Sequence, residues 1–168
     1  MLEQPRLQRL LRDLAKRDDG GHLHAAYHCV KHALGVLTSC GFEPESRSLI
    51  ALGTVERYIF TETHKGDCFS AAQATQEDAR YWEKATPARR VTISFNRATF
   101  CLARAVLDYN AHEPDRHNIL MAINHARLAA NQAMGGTFVG PEDEWQEQFL
   151  ASYPAAERSR SRVSLLAD

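Results

Sequence analysis

Lysine is scarce in this chain: of twenty basic residues only Lys16, Lys31, Lys65 and Lys84 are lysine. Twenty-one acidic residues bring the net charge to −1, so no global field drives the chain onto nucleic acid or an anionic membrane. Arginine supplies the remaining positive charge and suits carboxylate and phosphate recognition. Its clusters, Arg89-Arg90 and Arg158 to Arg162, lack the aromatic interleaving of a nucleic-acid surface, and no nucleic-acid partner is expected. Cys29, Cys40, Cys68 and Cys101 never form C-x-x-C, which speaks against zinc-finger and dithiol chemistry. Cys29, Cys68 and Cys101 sit in apolar surroundings, where cysteine acts as a small hydrophobe. No window offers eighteen uncharged apolar residues, so no membrane span is expected. The opening Met-Leu-Glu-Gln-Pro lacks the basic and apolar regions of a secretory signal, and the expected location is cytoplasmic. Nucleophile elbow, phosphate-binding glycine loop and dinucleotide fingerprint are missing too.

What the chain does have is helical period. Its 168 residues suit one domain, taken as 1–157, with residues 158–168 as a mobile tail. Apolar side chains recur every three or four positions over 3–17 and over 22–40. A third run begins at a Ser46 cap and turns Leu49, Ile50, Leu52, Val55, Tyr58, Ile59 and Phe60 inward. A fourth opens at Asp67 or Ser70 and carries Phe69, Ala72, Ala79 and Trp82, with Gln73, Gln76, Glu77 and Asp78 on its wet side. Thr86 and Pro87 launch a fifth helix over 87–110. Within it Val91 to Phe95 alternates like a strand, but Phe95, Ala98, Leu102, Ala105 and Tyr109 continue one helical face. The alanine-rich run from Asp115 to Met134 permits close approach to the fifth helix at the bundle centre. A last segment from Pro141, with Trp145, Phe149 and Leu150, is expected to dock as a lid. The fold expected is all-α: a single-domain bundle of six or seven helices, mostly antiparallel neighbours with short links.

Chemistry concentrates at His24, His28 and His32, each four residues from the last, with His22 alongside. Imidazoles at i and i+4 on a helix stand one above the other and can chelate a transition metal such as zinc. A further ligand would come from His64, His112, His117, His125 or a carboxylate. At 100° per residue the three drift across about 80° of the flank opposite the Leu23, Tyr27, Val30 and Leu34 stripe. That placement predicts solvent or a partner beside them, and in the latter case a pH-responsive contact. Glu56-Arg57 and the acid and base groups from Glu62 to Asp67 read as ordinary ion pairs near a helix end. Arg97, Arg104 and Asp108 share a side of the fifth helix, fit to grip a carboxylate or acidic partner, although a solvated face is the simpler reading. Asn118, Asn124, His125 and Asn131 are expected to hydrogen-bond between helices where buried.

The run Glu45-Ser46-Arg47-Ser48-Leu49-Ile50-Ala51-Leu52, then Glu56-Arg57-Tyr58 and the alanines at 71, 72, 74 and 79, resembles the alanine-rich helical immunity proteins of bacterial polymorphic-toxin systems over about residues 25–132. The chain departs from that pattern in having fewer alanines and in the bulk of Phe95, Phe100 and Tyr109. The resemblance implies a cytoplasmic all-α protein that binds and neutralises a toxin; no individual binding residue carries over. The function expected is therefore non-enzymatic protein binding, without catalytic residues or cofactor. Its rivals are a metal-dependent bundle enzyme using His24, His28 and His32, and an oligomerising helical scaffold.

Overall fold

The computed structural model describes residues 4–17, 21–60, 65–77, 79–107, 116–136 and 139–153. Among them are seven α-helices and no strand: α1 Gln4–Arg17, α2 Gly21–Ser39, α3 Ser46–Phe60, α4 Lys65–Thr75, α5 Pro87–Leu107, α6 Arg116–Ala133 and α7 Pro141–Ala151. The expected tail, together with His64, Asp108 and His112, lies outside the described residues. No helix there is long and apolar enough to cross a membrane.

The centre is α5 against α6, with α2 packed on α6 and α4 on α5. Ala122, Ala126, Ala129 and Ala130 are completely buried, as a close helix pair requires. The alternation at Val91 to Phe95 is helical: Val91, Ile93, Ser94, Phe95 and Asn96 are all buried because neighbours cover most of the circumference of α5. A helix enclosed in this way carries apolar residues nearly all round, and a short window of it imitates a strand.

Local signals set most of the boundaries. Thr86 Oγ1 accepts the Arg89 N–H at 3.2 Å, capping α5 where Pro87 enters. Gly41 and Gly135 take φ of 82° and 84° just past α2 and α6. The following N–H groups, of Phe42 and Gly136, reach back to Leu37 and Asn131 carbonyls at 3.0 and 2.8 Å, closing both helices in the left-handed turn that glycine adopts most cheaply.

Three expectations are corrected. Glu45, not Ser46, caps α3 with its backbone, since its carbonyl accepts the Leu49 N–H at 3.2 Å. Leu49, Ile50 and Phe60 are 43, 63 and 39% exposed rather than turned inward, because α3 is covered on one side only. The fourth helix stops at Thr75; Ala79–Tyr81 is a 3-10 turn and Phe69 is half exposed. The break follows from Glu77, expected on the wet side, turning inward instead. Its Oε1 accepts from Arg47 Nη2 and from buried Asn96 Nδ2, each at 2.5 Å. Asn96 in turn accepts from the buried Ser48 hydroxyl.

Candidate functional site

The histidine row of α2 does not face solvent. His22 and His24 are buried and His28 and His32 partly so; α7 lies across the last two. His32 stacks on Trp145, centroids 3.5 Å apart and planes within 3°, and its Nδ1 meets Glu142 Oε1 at 3.1 Å. Trp145 continues the stack to Phe149 at 5.0 Å, and Phe149 leans on His28 at 5.9 Å. His24 Nδ1 hydrogen-bonds the Tyr153 hydroxyl, and its ring stands edge-on to Phe60 at 5.2 Å. The side chains expected to bind an ion or meet a partner therefore hold a helix of the same chain. Periodicity misled here because the flank opposite an apolar stripe need not be wet when imidazole and indole rings can pair across it.

A metal ion needs several nitrogen or carboxylate donors aimed at one point. Among the described residues no group of three or more His, Cys, Asp or Glu is so placed. His117 is exposed on α6, and His125 lies on the same helix within the field of Arg97.

The start of α7 is fixed by groups outside it. Gly140, its N-cap, contributes no side-chain hydrogen bond. Asn131 of α6 does this instead: its Oδ1 accepts the Glu142 N–H at 3.1 Å and its Nδ2 donates to Asp143 Oδ1 at 2.9 Å. A Cβ on Gly140 would stand 2.5 Å from Asn131 Oδ1, so the close approach itself calls for glycine. Arg127 Nη1 completes the cluster on Asp143 Oδ1 at 3.0 Å. Burial alone would raise the Asp143 pKa, but hydrogen bonds, those of Arg127 and Asn131 among them, hold it below the usual carboxylate value. The expectation of an inter-helix hydrogen bond at Asn131 is met, and the signal was an amide in an apolar stripe.

Two of the thiols are poor nucleophiles: burial pushes Cys29 well above its ordinary pKa and Cys68 to about 11. Burial, followed by a hydrogen bond that the phenol donates to Glu56, likewise raises the Tyr27 pKa, while Glu56 also faces Lys31 at 3.6 Å. Glu56 is thus engaged in ordinary pairing, as its sequence setting suggested. On α5 the guanidinium of Arg97 sits 5.3 Å from the Trp82 ring centre, and that of Arg90 at 5.6 Å.

His125 makes a pH dependence testable. Burial, aided by Arg97, pulls its pKa from 6.5 to about 4. Between those values the unfolded chain binds a proton at this site that the folded chain refuses. Its contribution is therefore intact above pH 6.5 and declines as pH falls toward 4, by about 2–3 kcal/mol after allowing for solvent at a partly exposed ring. Urea unfolding at pH 7 and pH 4.5 is expected to show that decline, and His125→Gln is expected to remove about that much of it. An unchanged decline in the variant would overturn the assignment.

No protein-family model matches the chain, and neither does any curated protein or solved structure.

Proposed function

We propose that this protein is a non-enzymatic helical binding domain, and that its specific role is that of an immunity protein, neutralising a toxin by direct contact. The observation that supports this reading is the outer face of α3. Leu49, Ile50 and Phe60, 43, 63 and 39% exposed, fall with Gly53 and Arg57 within an arc of about 100°. Large apolar side chains grouped on one exposed face beside an arginine have the composition of an interface centre. Gly53 keeps the middle of that face low: a Cβ there would meet only Arg57 Nη1, at 3.8 Å. The histidine row, engaged with α7, lends a metal enzyme no comparable support.

The test is whether a toxin-domain gene lies directly upstream and, given one, co-expression of the chain with that domain. The chain is expected to protect the cell and to co-purify with the toxin. Ile50→Glu, at a position 63% exposed, is expected to weaken that complex about a hundredfold or more while leaving the circular dichroism melt within a degree or two. A chain that neither binds nor protects would sink the immunity reading. Stable self-association through α3 would replace it with the scaffold, and stoichiometric zinc, iron or manganese lost on His28→Ala would replace it with the metal enzyme.

A further inference from the structure

Between α4 and α5 lies a cavity of about 360 Å³, lined by Phe69, Ala72, Gln73, Gln76, Phe100 and Arg104. Its walls follow from helical spacing: residues 69, 72, 73 and 76 form one stripe along α4 and the turn after it, facing Phe100 and Arg104 one turn apart on α5. Its volume lies at the lower end of the range for small-molecule sites. We propose that this cavity binds a small organic carboxylate with an apolar body the size of a single ring, a property independent of the α3 face.

Charge and shape argue for that ligand class together. The lining holds one guanidinium, two carboxamides and no acidic side chain, so it favours an anion over a cation. Arginine presents five donors in a planar fork, enough to grip a carboxylate while keeping a contact within the protein. Arg97, seven residues before Arg104, lies along the same side of α5, about 10 Å away. At the other side of the cavity, Phe69 is 48% exposed although it sits in the apolar wall beside Phe100 and buried Ala72. A ring or short alkyl chain laid between the two phenylalanines would cover that surface. Its small volume suits a free acid rather than a peptide strand.

The full-length chain, titrated with 4-phenylbutyrate and with the neutral 4-phenylbutyramide, is followed by amide chemical shifts. The acid is expected to shift α4 and α5 resonances saturably and to bind at least about tenfold more tightly than the amide. Arg104→Gln is expected to reduce the acid to the affinity of the amide. Gln73→Trp, a change at an exposed position that fills the cavity, is expected to abolish both without altering the melt. Equal affinity of acid and amide, absence of saturable shifts on these helices, or undiminished acid binding by either folded variant would overturn the proposal.

Discussion

Replacing Asp143 with alanine is expected to destabilise the protein by about 3–5 kcal/mol, because it leaves the guanidinium of Arg127 in a buried setting without its carboxylate. Both side chains are only 10% exposed, so water compensates little. The same change removes the acceptor of Asn131 Nδ2, and Asn131 is the residue that caps α7. The loss should therefore be felt first as release of α7 and of the aromatic stack it brings to α2. In a Trp82→Phe background Trp145 is the sole tryptophan, and its emission should shift to the red at a lower urea concentration than the loss of helical signal. Arg127→Met in the same chain is expected to restore part of the stability, since it removes the charge whose carboxylate is lost while keeping the packing volume. The acid limb supplies a second reading. The folded pKa of Asp143 is depressed, so its contribution is present above the ordinary carboxylate value of 3.8 and is lost as pH falls through the folded value. The alanine variant should unfold with a shallower acid slope. Coincident signals together with an unchanged urea midpoint would refute this account of α7.

Glu77→Ala is expected to cost about 2–3 kcal/mol. The lost carboxylate accepts two charge-assisted or buried hydrogen bonds, of which those to ions contribute about 1.5–3 kcal/mol each and an orphaned buried donor costs about 1–3. Burial decides how much of this is realised. Arg47, with 31% of its side chain exposed and Glu45 beside it, recovers water and a second partner. Asn96 is completely buried and recovers only what the structure around it provides. Glu77→Gln keeps an acceptor oxygen for the Asn96 amide and is expected to cost about half as much. Thermal melts of the three proteins make the comparison. Equal losses for the two variants would show that charge, not the Asn96 hydrogen bond, is what Glu77 contributes.

These two clusters also show where reading the chain succeeds and where it stops. Thr86-Pro87 and the glycines after α2 and α6 act through backbone geometry within a few residues, so the ends of α2, α5 and α6 were legible directly. The helical state of Val91 to Phe95 was legible for a related reason: a pattern of one face sustained over five turns outweighs a short alternation. Glu77 was not legible. In the chain it stands among Gln73, Gln76 and Asp78 as one more polar residue, and only Asn96 and Arg47, 19 and 30 positions away, make it a buried acceptor. The histidine row failed in the same manner. Its spacing correctly placed His24, His28 and His32 on one flank of α2, but the occupant of that flank, α7, begins more than a hundred residues later.

The sequence by itself determined that the chain folds as helices, where most of them start and stop, and that α5 and α6 pair through small residues. Those properties depend on dihedral preferences, caps and a three-to-four-residue period, all of which act over one or two turns. Tertiary structure alone decided which flanks are covered: α7 over the histidines, nothing over Leu49 and Ile50, and an open cavity between Phe69 and Phe100. Periodicity records which side of a helix avoids water. What settles on the other side depends on contacts between residues far apart in the chain, whose energies no local pattern encodes.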